Sequence, residues 1–235
     1  MDSELARFVN EAADIAASGR WAAVNLRIEQ LAANPGNDDA GDDNTWWVRL
    51  IGGLCAEVFS EYLAMKRAFE EGRQGDAPLL AWRARNLLEL SAWSMYCAKS
   101  RENARRVYED AGRDARDVFS LFINWGTAKA LPVDWLDPLT DALQGLFDRA
   151  AAKGIDSLKG PYKEVSKAAK ECGIGEHFKV SYRMLSKFAH PTAMRILAPP
   201  EPAKGALQRD HFFSQGCLFF TGAFHTLEKE LMRSR

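Results

Sequence analysis

The sequence predicts an all-α protein, a helical bundle with long central helices and an N-terminal helical hairpin. Apolar residues recur every three or four positions through most of the 235 residues, the period of a helix with one buried side. Clusters of Gly, Pro, Asn and Asp cut that pattern into long segments. The alternation of half-buried strands flanked by hairpin turns is missing, as are short-period repeats.

Taken in order, Asp2-Ser3 can cap a first helix that carries Leu5, Phe8, Val9, Ala12 and Ile15 and ends near Gly19. A second helix runs from Trp21 to Ala33 and stops at Asn34-Pro35-Gly36. Residues 35–44 are polar, acidic and rich in turn formers. Residues 1–34 are therefore expected as a helical hairpin packed on the body, since two helices alone bury too little surface to stand as a domain. Residues 45–235 form the main bundle. Its first helix, Thr45 to Glu71, has Trp46, Trp47, Leu50, Leu54, Val58, Tyr62 and Met65 on its apolar side. After the loop 72–78 comes a helix from Leu79 to Lys99 that is apolar around most of its circumference, as a central helix must be. The next, Arg101 to Thr127, spaces Arg105, Glu109, Arg113 and Asp117 as i,i+4 pairs, expected as a solvated surface. A turn-rich stretch, 130–138, leads into a helix over 138–152. Pro161 fits the first turn of a short helix ending near Cys172-Gly173. Helices at 175–190 and 209–233 follow, separated by the Pro-rich stretch 198–205, and the last packs Phe212, Phe213, Phe219, Phe220 and Phe224.

Composition narrows the function classes. Net charge is −1, so a uniformly basic nucleic-acid binder is excluded. The charge is uneven, however. Residues 1–45 hold nine acids against three arginines, whereas residues 153–190 hold seven Lys and one Arg against four acids. No apolar run reaches the roughly 18 residues of a membrane span, and the N-terminus has no basic region leading into an apolar stretch. A cytoplasmic protein without a membrane partner is expected. Cys55, Cys97, Cys172 and Cys217 are widely separated, with no C-x-x-C pair and no Cys/His ligand spacing. Free thiols, no metal and no cofactor are expected.

The chemistry-bearing residues gather in two segments. In Tyr182-Arg183-Met184-Leu185-Ser186-Lys187-Phe188-Ala189-His190-Pro191, helical spacing puts Arg183 and His190 on one face, two turns apart, with Ser186 between them. Pro191 disfavours helical backbone in its predecessor, so His190 should end the helix. A cation, a hydroxyl and an imidazole at a helix end can bind an anion such as phosphate. On the central helix, Arg85 and Glu89 lie at i and i+4 among Leu, Ala and Trp. Charges there need partners, and a mutual bridge supplies them, with Asn86 hydrogen-bonding nearby. The two polar stripes are expected to meet, as a buried polar clamp or as a functional pocket. His177, His211 and His225 lack acidic or cysteine partners at ligand spacing and read as ordinary helix residues.

Arg183-x6-His190 on a late helix of an all-α bundle resembles the HEPN superfamily of helical domains. The wider arrangement, Arg85-x3-Glu89 followed by Tyr182-x3-Ser186-x3-His190-Pro191, looks like a family of bacterial helical proteins of unknown function. The resemblance covers roughly residues 45–230. It implies a metal-independent ribonuclease of the kind found in toxin–antitoxin and antiphage systems. Arg183 and His190 would be its catalytic residues, supported by Arg85, Glu89, Tyr182 and Ser186, with two protomers forming one cleft. RNA would be the substrate and an antitoxin a partner. Met184 departs from the pattern, because active members often carry a polar residue, commonly Asn, directly after the Arg. The competing reading is a non-enzymatic module that binds a protein or a small anion around a buried polar network. A homodimer is expected through segments 45–99 or 175–230, which hold more Trp and Phe than one modest core needs.

Overall fold

A computed structural model of the chain describes residues 3–33, 45–72, 77–152, 155, 162–190, 192, 196–197 and 202–233. Among them run nine helices and no strand: α1 (Ser3–Ala17), α2 (Arg20–Ala33), α3 (Thr45–Glu71), α4 (Ala77–Lys99), α5 (Arg101–Ala128), α6 (Val133–Ala152), α7 (Val165–Glu171), α8 (Gly175–Ala189) and α9 (Pro202–Arg233). The expected all-α bundle with long central helices is what forms. Asp2, the loop 35–44, Pro161, Pro191 and residues 198–201 lie outside the described residues. The chain divides into two compact units, Met1–Arg101 with Val165–Arg235, and Glu102–Glu164.

In the first unit α4 is the hub, packed against α3, α7, α8 and α9. Its sequence suits that place. Leu80, Leu87, Leu88 and Tyr96 bury bulk, while Ala81, Ala84, Ser91, Ala92 and Ser94 let neighbouring helices come close. α9 lies along α4 and also meets α1, α2 and α3. Between α3 and α9, Tyr62 stacks on Phe220 at 4.1 Å between centroids and Phe69 on Phe213 at 4.0 Å. Trp21 of α2 stacks on Phe59 of α3 at 4.1 Å. Trp46, Trp47, Phe212, Phe213 and Phe220 are buried, so the aromatic surplus of these segments is largely taken up inside one core. No helix among the described residues is long and apolar enough to cross a membrane.

Helix starts differ from the sequence expectation in three places: α7 begins at Val165 rather than in the turn at Pro161, and α6 and α9 begin earlier than expected, each for a local reason. α6 begins at Val133 rather than 138 and carries Pro138 inside it. Proline there forfeits one backbone hydrogen bond, but its fixed φ is helical and the position is close to the helix start. α9 begins at Pro202, because the first helical turn needs no N–H from that residue. The end of α5 is closed by Ala130, whose φ of 51° is left-handed. The Leu131 N–H reaches the Gly126 carbonyl at 3.0 Å and the Ala130 N–H that of Thr127 at 3.0 Å, the two bonds of a Schellman end.

Within the second unit, the charged face of α5 is not wholly solvated. Arg113 and Asp110 are buried and paired with each other, Glu109 stands 3.8 Å from Arg113, and Asp110 also accepts the Lys163 backbone N–H at 3.1 Å. The expectation of a solvated surface is corrected here, because Arg113 finds an i,i+3 partner in Asp110 and the two are buried together. Asp117 accepts hydrogen bonds from Tyr162 and Arg116, which hold its carboxyl below the usual carboxylate range.

Two predictions follow from the first unit's packing. A Cβ at Gly216 of α9 would lie 2.2 Å from Sδ of the fully buried Met65 and 3.5 Å from the Ala84 Cβ. Gly216→Val should therefore cost about 1–3 kcal/mol through overpacking, read as a lower denaturant midpoint with an unchanged slope. The second concerns pH. Burial pushes the thiols of Cys55, Cys97 and Cys217 up from 9.0 to about 12. A folded-state value above the unfolded one means that their contribution to stability is whole below pH about 9 and is lost as pH rises toward about 12. The melting temperature should fall over that window, and less steeply in Cys217→Ala.

Candidate functional site

α4 and α8 pack directly on one another, and the polar residues of both meet at that seam. The position of α8 is set by the tight corner before it. Gly173 adopts φ 80°, closing α7, and a Cβ at Gly175 would sit 3.1 Å from the Lys170 Cα. Phe178, Ser181 and Leu185 then form the buried side of α8. Tyr182 stacks on Phe178 at 5.5 Å and turns its hydroxyl to the seam. At the far end His190 is the C-cap, with φ −100° and ψ 155°, the extended backbone expected of a residue before proline. Its N–H still reaches the Ser186 carbonyl at 3.2 Å, and Thr192 Oγ1 donates to the Lys187 carbonyl at 3.1 Å.

Arg85 joins these pieces. Its Nε donates to Glu89 Oε1 at 3.1 Å, Nη2 to the Tyr182 hydroxyl at 2.6 Å, and Nη1 lies 2.8 Å from His190 Nε2. The guanidinium also sits over the Tyr182 ring, 4.5 Å from its centroid. A guanidinium has no lone pair to offer, so Nε2 must accept. His190 is then neutral, with its proton on Nδ1. The Tyr182 oxygen likewise accepts from Arg85 and keeps its own O–H to donate. The pair is less sealed than the apolar context of α4 suggests. The Arg85 side chain is 19% exposed and that of Glu89 31%, because the seam opens at the surface beside exposed His190.

The six residues singled out from sequence divide in two. Arg85, Glu89, Tyr182 and His190 form one connected cluster. Ser186 lies on the same side of α8, and its hydroxyl is buried without a hydrogen-bond partner among the described residues. Arg183 stands apart, exposed, and its side chain makes no hydrogen bond or ion pair among the described residues. The side chains of Lys179 and Lys187 are in the same condition. These three, at i, i+4 and i+8, form an exposed cationic stripe that ends at His190.

Sequence reasoning missed two polar networks. Glu61 of α3 accepts from Asn86 Nδ2 at 3.1 Å and from Arg83 Nη1 at 2.8 Å, so Asn86 serves α3 rather than the Arg85 cluster. His225 of α9 lies 2.7 Å from Glu11 Oε1 through Nε2 and 3.1 Å from Arg20 Nη2 through Nδ1. Arg20 in turn holds Glu228 through Nε and Nη2. The available signal was the i,i+3 spacing of His225 and Glu228; Arg20 and Glu11 come from helices some 200 residues away. No group of three or more His, Cys, Asp or Glu could hold a metal ion among the described residues.

Arg85→Ala would remove three hydrogen bonds at once and should cost about 1–3 kcal/mol, the penalty of stranding half-buried partners. It should also release His190 from the Nδ1–H tautomer, visible as a change in the imidazole ¹⁵N shifts. Glu89→Ala should cost only about 1 kcal/mol, since Arg85 keeps two other partners and reaches water. A loss of several kcal/mol there would mean that Arg85 is desolvated.

The chain matches a family model described as a family of unknown function (DUF5677) over residues 49–198. That span contains α4, α8 and every residue of the Arg85 cluster. No curated protein and no solved structure matches the chain. With more than half its length inside the family model, the chain belongs to the family of unknown function DUF5677.

Proposed function

We propose that the outer face of α8 binds the phosphodiester backbone of RNA and that the protein is a HEPN-like, metal-independent endoribonuclease. One observation carries this reading. Lys179, Arg183 and Lys187 present three exposed cations with no ion pair among the described residues, in a line that ends at an exposed imidazole. Surface cations in a helical bundle ordinarily acquire acidic neighbours at i,i+4, as Arg105 and Lys66 do here. Three in a row without them suit a polyanion, which binds by releasing its counterions.

The chemistry asks for a fixed positive charge and a proton carrier. The RNA 2′-oxygen attacks the adjacent phosphorus, the new O–P bond forms, and the bond to the 5′-oxygen breaks. Arg183 neutralises charge on the non-bridging oxygens. His190 takes the 2′-hydroxyl proton as a neutral imidazole, and His190 of a second copy, which takes up a proton from water at Nε2 once its Arg85 has let go, delivers that proton to the leaving 5′-oxygen. Two copies thus form one composite site. Because Arg85 holds Nε2, its N–H must move to an incoming phosphate oxygen before His190 can act as a base. Three buried free thiols fit a reducing cytoplasm, and the HEPN resemblance fits a nuclease of a toxin–antitoxin or antiphage system, with RNA and an antitoxin as partners.

A second reading, a non-enzymatic anion- or protein-binding module, draws on the same Arg85–His190 bond. While Nε2 is occupied, His190 is a hydrogen-bond donor and not a base.

Purified protein should cleave single-stranded RNA in the presence of EDTA, and Arg183→Ala or His190→Ala should each lower the rate by about 100-fold or more. A 2′-deoxy nucleotide at the cleaved position should block the reaction. Lys179→Ala should weaken RNA binding and reduce the slope of log affinity against log salt by about 0.7. RNA binding without cleavage would favour the module. Cleavage at wild-type rate in both alanine variants, or no RNA binding at all, would remove the α8 face from consideration.

A further inference from the structure

The second unit leaves an apolar face uncovered. On α5, Val118, Leu121, Phe122 and Trp125 fall at i, i+3, i+4 and i+7, one side of the helix, and they are 51, 66, 46 and 50% exposed. On α6, Val133 and Trp135 are 66 and 47% exposed. Trp125 and Trp135 meet edge to face with centroids 6.2 Å apart, which joins the two helices' contributions into one patch. The helices come this close because residue 126 is glycine. A Cβ there would lie 2.6 Å from the Leu136 side chain.

Six half-exposed side chains of this size present roughly 600 Å² of apolar surface, taking about 150–250 Å² for each whole aromatic. That is at the upper limit of what a monomer leaves in water and close to the roughly 800 Å² that each partner buries in a standard interface.

We propose that this face is covered by a second copy of the chain, with α5 running antiparallel to its own copy about a two-fold axis. The pattern of the stripe favours a copy over a foreign partner, because the face complements itself. Centring the pair between Leu121 and Phe122 sets Val118 against Trp125 of the second copy. One turn further out it sets Asp114 against Lys129 of the second copy. Both are exposed and have no ion pair among the described residues. The two-fold axis makes each match twice, so opposite charges close both ends of an apolar centre. The pairing stands on this face alone and not on the ribonuclease reading, whose composite site brings two α8 faces together on bound RNA. Mass without RNA tests the one and RNA cleavage the other.

Sedimentation of the full chain should give twice the mass of the 26.2 kDa monomer. Leu121→Glu should give the monomer with an unchanged far-ultraviolet circular dichroism spectrum, since Leu121 is 66% exposed and contributes little to the fold. Asp114→Lys should raise the dimer Kd by about tenfold, because like charges then face each other twice. Adding Lys129→Asp to the same chain should restore it. A monomeric wild type would overturn the proposal. So would a dimer that survives Leu121→Glu, or a charge reversal that the second substitution does not repair.

Discussion

A guanidinium held at a half-buried helix seam organises the part of this protein that bears on function. Arg85 lies on α4, the helix on which α3, α7, α8 and α9 all pack. A charge in that position must be matched by acceptors, or it costs more than the helix contact returns. Glu89 supplies one from the same helix. The other two, the Tyr182 hydroxyl and His190 Nε2, come from α8. The match fixes the rotation of α8 about its axis and assigns its faces. Phe178, Ser181 and Leu185 go inward, Tyr182 and Ser186 lie along the seam, and Lys179, Arg183 and Lys187 face water. The cationic stripe and the polar cluster are thus two consequences of one orientation.

Much of this was legible in the chain. Helical periodicity marked nearly every helix, because long amphipathic segments have few other ways to bury their apolar side. The Arg85–Glu89 bridge could be read from its spacing, and its meeting with Tyr182 and His190 from the need of polar groups in an apolar bundle for partners. The errors cluster at prolines. Pro138 and Pro202 looked like boundaries and proved compatible with a first or second helical turn. The separation of Arg183 from the cluster was not legible. Spacing places Arg183 and His190 on one face, but only packing decides that the imidazole turns to α4. The burial of Arg113 and the Glu11–His225–Arg20–Glu228 network were hidden for the same reason, since burial and partners remote in sequence leave no periodic trace.

The two units treat apolar surface differently. In the first, stacked aromatics from α3 and α9 and small residues on α4 close a core that leaves little of its Trp and Phe in water. In the second, the fixed polar groups are the buried Asp110–Arg113 pair and the Tyr162–Asp117 bond, while Leu121, Phe122, Trp125 and Trp135 face outward. Specific burial of charge beside exposure of aromatics is the reverse of what a unit built only for its own stability would show.

The dependence of α8 on Arg85 can be measured directly by a double-mutant cycle in denaturant unfolding. The cycle compares Arg85→Ala, Tyr182→Leu and the double variant with the wild type. A coupling energy of about 1–2 kcal/mol is expected, because the 2.6 Å bond and the cation–π contact join the same two side chains. Additive effects within about 0.3–0.5 kcal/mol would show that Arg85 and Tyr182 act independently, and that α8 takes its orientation from its apolar side alone.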